Sequence, residues 1–544
     1  MKILQTFWSG PADKANQNLL STKAGWLSCE YHWMSWALSC LQAKSVFGDV
    51  NLVTDEKGKQ ILIDQLELPY STVSVSLEGT LDNYHPALFS LAKIHTYGTQ
   101  AEPFLHLDGD VFLWQKPDAD FMNSRLLAQN LDKNLEFYPY TLNQINQHFT
   151  FVPPVLQRQH YENKDVYGSN AGLIGGSDLD FFRWYSREAF DFIDKNKDNL
   201  NKVNTGSLNF IFEQYLFCQL AAENRIPVTY YRPMVDDPVF KDYIKFEDHP
   251  NVAMVHPVGN FKKYHHVCDH VARTLRSDYP DYYYRIIDLV RSEGLSMRSA
   301  IYYSPLLKLT ELAQQNPGKA VESSFLRTNA AIDYLNKKDP QNQIAGLNSN
   351  APPAEFIKNV KLRVSEASDC DCLLEIFGLE SAANELLEKL YTDEATVTNL
   401  YKADRENYSN IRNVFSLPDD ELLQIKIGLP IHYKLLNHSL NWKLDYKEQV
   451  HALIQRNFNT EKAVCPMLLL PSELEGGVKE YYLDELDMIV FDTVKDVFTI
   501  ANLLIELKTH FSSEEIEEDY LSFKQLIIST IKGLLYAGVV EIKI

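Results

Sequence analysis

Apolar and polar positions in the first 110 residues switch between two periods. Residues 3–8 form a short apolar run and predict an opening strand. Over residues 30–47, Trp33, Trp36, Ala37, Cys40 and Leu41 recur at helical spacing and predict a helix. Residues 50–54 predict a second strand, closed by Asp55; residues 59–66 predict a helix and residues 73–76 a third strand. Residues 86–97 predict a helix with Pro86 in its first turn, and residues 104–107 a buried strand. Such β-α-β-α-β alternation predicts a mainly parallel sheet with helices on both faces. Ligands of these sheets bind outside the carboxyl ends of the strands, so the turn after Leu107 is a place to look for chemistry.

Further along, residues 178–196 predict an aromatic-rich helix, residues 207–224 another, residues 227–231 a strand and residues 280–292 a closing helix. From 314 to 353 Asn, Gln, Ala and Pro dominate, and a helix at about 322–337 stands among linkers. Residues 356–470 give mixed signals. At 544 residues the chain exceeds the roughly 250–300 at which one core stops growing, so several domains are expected. The expected division is 1–310, a linker at 311–355, an accessory region at 356–477 and a small domain at 478–544.

Charge and cysteine usage narrow the partners. A formal net charge of −21 opposes a nucleic-acid backbone or an anionic membrane surface as a general partner. The seven cysteines contain no Cys-x-x-Cys pair, so a structural zinc site is not expected, and reduced thiols in the cytoplasm are. The opening residues lack the pattern of a signal peptide, and no apolar run reaches the roughly 18 residues of a membrane span.

The central motif is the apolar strand ending in Asp108-Gly109-Asp110, followed by a second apolar run. Two carboxylates two positions apart on an extended backbone point the same way and can reach one cation. Hard oxygen donors suit Mg²⁺ or Mn²⁺, and such an ion stabilises a diphosphate as it leaves. The bland alternative is a polar turn between strands. A second element, His256-Pro257-Val258-Gly259-Asn260-Phe261-Lys262, follows an apolar strand at 252–255. It offers an imidazole for a metal, a glycine that bares backbone N–H groups and a lysine for a phosphate oxygen. Its bland alternative is a turn histidine before proline.

Together these residues resemble the GT-A glycosyltransferases, and most closely the glycogenin-type retaining enzymes of glycosyltransferase family eight. The resemblance rests on Asp108-x-Asp110, His256-x-x-Gly259-x-x-Lys262, Asn170-Ala171-Gly172, Glu213-Gln214 and Lys93, and covers about residues 1–270. Glu213 stands where Asp is usual, Lys93 where Arg is usual, and Lys263-Tyr264 replaces the usual Pro-Trp. Phe-Trp-Ser-Gly at the start, with the stretch AGWLSCEYHWMSWALSC, also resembles a bacterial branch of such enzymes. The resemblance implies an α/β fold: a Rossmann-like GT-A domain, then a mixed, largely helical region. It implies metal binding by Asp108, Asp110 and His256, and diphosphate binding by Gly259 and Lys262. Asn170, Ala171, Gly172 and Gln214 would meet the donor sugar, Lys93 would face the carboxylates, and Glu213 would be nucleophile or electrostatic stabiliser. The implied reaction is retaining hexosyl transfer from a nucleotide sugar, with a UDP-sugar expected and Mn²⁺ or Mg²⁺ as cofactor.

Residues 484–491, a helix from Thr499 to about His510, the capping-box pattern Ser512-x-x-Glu515 and the apolar face Ile516, Tyr520, Phe523 and Ile527 lead to a break at Gly533 to Gly538 and a strand at 539–544. This stretch loosely resembles a PqqD-like winged helix. That resemblance implies capture of a peptide as an added strand, and so a ribosomally made peptide acceptor. A packing or dimerisation domain is the plainer reading. Two rival functions stay open: a nucleotidyltransferase, and a peptide-binding scaffold with a degenerate transferase domain.

Overall fold

Seven strands make the main sheet of the first part of the chain in the computed structural model, which describes residues 1–13, 18–157, 165–236, 252–295, 302–303, 325–339, 344, 346–390, 394–440, 450–459, 465–471, 477–511 and 519–543. The chain divides into two units, Met1–Leu295 and Ser296–Ile544.

The strands of the first unit are β1 (Lys2–Thr6), β2 (Asn51–Val53), β3 (Thr72–Ser74), β4 (Phe104–Leu107), β5 (Phe112–Leu113), β6 (Leu126–Ala128), β7 (Leu131–Lys133), β8 (Tyr167–Ser169), β9 (Leu173–Gly176), β10 (Val228–Tyr230), β11 (Val235–Asp236) and β12 (Met254–Val255). The main sheet runs β10-β6-β9-β4-β1-β2-β3. β1, β2, β3 and β4 are parallel, as are β6 and β10, while β9 runs antiparallel to both β4 and β6. The chain steps outward from β1 to β3 and then returns to β4 on the other side of β1. That reversal opens a crevice beyond the carboxyl ends of β1 and β4, where ligands of such sheets bind.

The predicted helix at 30–47 is the helix Cys29–Phe47, and every residue from Cys29 to Ala43 is buried. It packs against β5 and against the helices His265–Asp278 and Pro280–Ser292, which explains an apolar pattern around its whole circumference. Pro86 does not open the next helix. That helix is Ser90–Gly98, and its start is set by Asn209, whose Oδ1 accepts from the Ser90 N–H at 3.0 Å. The run from Thr205 to Glu223 contains a π turn, Ile211–Tyr215, which carries Glu213 and Gln214. A π turn widens the helix locally and often marks a functional position.

In the second unit, β13 (Tyr302–Tyr303), β14 (Lys426–Gly428), β15 (Lys434–His438), β16 (Cys465–Pro471), β17 (Gly477–Tyr482), β18 (Phe498–Thr499) and β19 (Glu541–Ile542) form two antiparallel sheets. Their orders are β13-β17-β16-β15 and β18-β14-β19. The helices Leu326–Lys338 and Ala367–Leu390 pack with the first sheet around Leu373, Ile376, Leu379 and Met467. Buried Glu380 fixes the start of the first of them, accepting from the N–H groups of Arg327 and Thr328 at 2.8 and 2.9 Å. The second sheet packs around Val490, Leu503, Ile527, Leu534 and Val539. Its middle strand, β14, comes from well upstream of residue 478.

The segment predicted to cap at Ser512-x-x-Glu515, with Ile516, lies outside the described residues. Gly533 does not break the last helix, which runs Tyr520–Ala537 and ends at Gly538 with φ +73°. A left-handed residue at that position is the common glycine stop. Among the described residues no helix is long and apolar enough to cross a membrane.

Candidate metal centre

Two sheet pairings, rather than sequence proximity, build the site. β12 pairs antiparallel with β5, Val255 opposite Phe112, so the residue after Val255 arrives beside the turn that precedes Phe112. His256 thereby meets Asp110 across a separation of 146 positions, with Nε2 3.4 Å from the carboxylate. One ligand atom each of Asp108, Asp110 and His256 lies within 4.8 Å of the others. Asp108 follows β4 directly, and Asp110 stands in the turn after it. Two carboxylates and an imidazole this close together could hold one divalent ion.

The turn is held from below by the Cys29–Phe47 helix. Ser35 Oγ donates to the Gly109 carbonyl at 2.8 Å, and Ser39 Oγ to the Val111 carbonyl at 2.7 Å. A Cβ on Gly109 would fall about 2.5 Å from the Trp36 ring, so the indole and the backbone fit only with glycine here. Gly172 is equally constrained. A Cβ there would stand 2.3 Å from Gln129 Oε1 and 2.5 Å from His256 Nδ1. The Gly172 carbonyl accepts from the Asp108 N–H at 3.0 Å, and its own N–H donates to Asn170 Oδ1 at 3.0 Å. The Asn170-Ala171-Gly172 segment, which connects β8 to β9, is thus tied to the Asp108 turn.

Each carboxylate has its own cation. Lys93 Nζ donates to both Asp108 oxygens at 3.1 Å and stands 2.6 Å from Glu213 Oε1. Lys262 pairs with Asp110. Burial pushes the Asp108 carboxyl up to about 6, against the downward pull of Lys93. Burial also acts upward on Asp110, but Lys262 and His256 outweigh it and hold that carboxyl well below the usual range. Burial lowers the Lys93 ammonium, yet Asp108 and Glu213 together hold it above its ordinary value.

Glu213 is 2% exposed and fully engaged. Besides Lys93 it accepts from Ser90 Oγ at 2.8 Å and from the Tyr97 hydroxyl at 3.2 Å. Both of its oxygens thus have partners, from Lys93, Ser90 and Tyr97. Gln214 lies beside it, with Oε1 accepting from the Tyr138 hydroxyl at 2.8 Å. Gly259 and Lys262 occupy the short helical turn Gly259–Lys263, and the Lys262 carbonyl accepts from the Leu27 N–H at 3.2 Å.

Sequence reading missed Gln129. Its Oε1 lies 2.7 Å from His256 Nδ1, and its Nε2 donates to Asn130 Oδ1 at 3.0 Å. Asn130 in turn donates to Asp132 Oδ1 at 2.7 Å. The chain of donors fixes the Gln129 amide so that oxygen faces His256. With Nδ1 turned to Gln129, Nε2 is the ring nitrogen that faces Asp110 and the one a metal would take. Burial pushes the Asp132 carboxyl up to about 7, although Asn130, Tyr138 and Asn170 all hydrogen-bond to it. No motif marked Gln129, because it follows β6 without recognisable spacing to His256.

A family described only as one of unknown function, DUF6734, matches residues 1–289. Among solved structures, an active-site mutant of LgtC matches at 12% identity, with a TM-score of 0.23 over 39% of this chain and 70% of that one. The glycosyltransferase GlyE of Streptococcus pneumoniae TIGR4 matches at 11% identity, with a TM-score of 0.25 over 58% of this chain and 72% of that one. A comparison with curated proteins found no match.

Proposed function

The chain belongs to the DUF6734 family, and we propose that its first unit is a metal-dependent glycosyltransferase that takes its sugar from a nucleoside diphosphate sugar. The observation that carries this reading is the meeting of Asp108, Asp110 and His256 within 4.8 Å at the carboxyl end of the sheet. The donor set suits Mn²⁺ or Mg²⁺, and the anchored imidazole supports the same assignment. When bound, such a cation supplies Lewis-acid stabilisation of charge on a departing diphosphate.

The residues around it then have distinct tasks. Lys262, which pairs with Asp110, turns its ammonium to a phosphate oxygen, and Gly259 lets the backbone approach. Lys93 keeps Asp108 oriented, and Glu213 keeps Lys93 charged and in place. Glu213 is therefore a positioning residue in this reading rather than a nucleophile. Asn170, Ala171, Gly172 and Gln214 line the donor sugar. The bond between the anomeric carbon and the diphosphate oxygen breaks, a bond to the acceptor oxygen or sulfur forms, and the leaving phosphate takes the acceptor proton. We assign UDP as the nucleotide and retention as the stereochemical course, following the family-eight resemblance.

The acceptor we propose is a hydroxyl or thiol on a ribosomally made peptide, recognised by the second unit. Support comes from β18, an edge strand of its sheet, beside a groove of about 840 Å³ lined by Leu483, Met488, Ile489 and Phe498.

The test is a panel of UDP-sugars incubated with the full chain and Mn²⁺, followed by phosphorus and proton NMR. The expected result is release of UDP and free sugar from one donor, stopped by a chelator. Release of pyrophosphate from a nucleoside triphosphate, with every UDP-sugar intact, would instead establish the nucleotidyltransferase alternative.

A further inference from the structure

One face of the Cys29–Phe47 helix runs beneath the Asp108-Gly109-Asp110 turn. Ser39, Trp36, Ser35 and His32 fall at helical spacing along it and share that face. The first three are matched to the turn: Ser39 to the Asp108 and Val111 carbonyls, Trp36 to Gly109, and Ser35 to the Gly109 carbonyl. His32 comes next, toward the Cys29 end. It is 6% exposed, and its buried Nε2 has no hydrogen-bond partner. Lys262 lies at this end of the helix: its carbonyl accepts from the Leu27 N–H at 3.2 Å, and a Cβ on Gly25 would stand 3.7 Å from its side chain. Burial and Lys262 pull the imidazole down to about 3, against Asp110.

A buried polar atom without a partner is uncommon and destabilising, and a bound ligand is one thing that satisfies it. In the nucleotide-sugar reading Lys262 serves a phosphate oxygen, and His32 stands at the same end of the helix. We propose that His32 is a further ligand-binding residue, donating Nε2–H to a phosphate oxygen of a nucleoside diphosphate beside Lys262. The proposal rests on the nucleotide-sugar reading above. Its role differs from that of Asp108, Asp110 and His256, because His32 is not one of the clustered ligand atoms.

The test is calorimetry on the full chain with Mn²⁺ present, titrating UDP, inorganic pyrophosphate and uridine into wild type, His32→Leu and His32→Gln. A hydrogen bond to a charged group contributes enough for its loss to weaken binding by about tenfold to a hundredfold. His32→Leu is expected to weaken UDP and pyrophosphate by that factor. His32→Gln, which keeps an N–H donor, recovers most of it. Binding of Mn²⁺ alone should not change, and the melting temperature of His32→Leu without UDP should match or exceed wild type, since a buried polar atom without a partner has been removed. If UDP binds His32→Leu as tightly as wild type, the His32 proposal is overturned while the nucleotide-sugar reading stands. If wild type itself binds no UDP with Mn²⁺, both fall. Should the leucine variant unfold, His32→Met against His32→Gln makes the same comparison, and equal affinities overturn the proposal.

Discussion

Asp110→Ala is expected to abolish metal-dependent binding of UDP and to lower turnover by about three orders of magnitude, since a bound cation supplies several kcal/mol of charge stabilisation. The expectation follows from where Asp110 stands. It faces His256 and Lys262 at once, so its removal takes away a ligand and leaves two former partners, one of them a cation, facing each other. Steady-state assays with the donor found in the panel, at several Mn²⁺ concentrations, measure the effect. A variant whose kcat stays within a factor of ten of wild type would show that Asp110 holds no cation in the reacting complex. The stability of Asp110→Ala should change less than its activity, because the Lys262 side chain keeps 19% of its surface exposed and can turn to water.

Lys93→Met is expected to destabilise the first unit by about 3–5 kcal/mol, the usual result of removing one partner from a buried ion pair. Lys93 is the shared counter-charge of Asp108 and Glu213, and Glu213 is almost fully buried. Without the ammonium, two carboxylates are left to repel each other across a desolvated space. Urea unfolding of wild type, Lys93→Met and the double variant Lys93→Met/Glu213→Gln measures the term. The double variant should recover part of the loss, because Gln keeps acceptor capacity for Ser90 and Tyr97 without an uncompensated charge. A single variant as stable as wild type would mean that Glu213 takes up a proton readily, and the positioning role assigned to it would fail.

The parts of the site that follow a local pattern were legible in the sequence. The strand Phe104–Leu107 and the carboxylates after it stand where the apolar run and the acidic turn placed them. His256 was legible because its own apolar strand precedes it, and β12 does pair with the strand that follows the acidic turn. The parts that depend on tertiary contact were hidden. His32 reads as one more buried position in a helix that is buried on every side, and only the neighbouring turn separates it from core. Gln129 gains its meaning from a ring 127 positions away. Glu213 was legible as an acid near the site but not as a saturated one, since Ser90, Tyr97 and Lys93 reach it from a different helix. Pro86 misled for a related reason: a side chain from Asn209 sets the helix start, and local propensity yields to it. Residues 356–470 gave mixed signals because they contribute to two sheets and two cores in turn.

Anomalous diffraction from crystals of the full chain grown with Mn²⁺ and UDP addresses the central claim most directly. The account predicts one manganese peak at about 2.0–2.3 Å from oxygen atoms of Asp108 and Asp110 and from Nε2 of His256, with diphosphate oxygens completing its shell. A peak elsewhere, or UDP bound with those three side chains turned away from it, would contradict it.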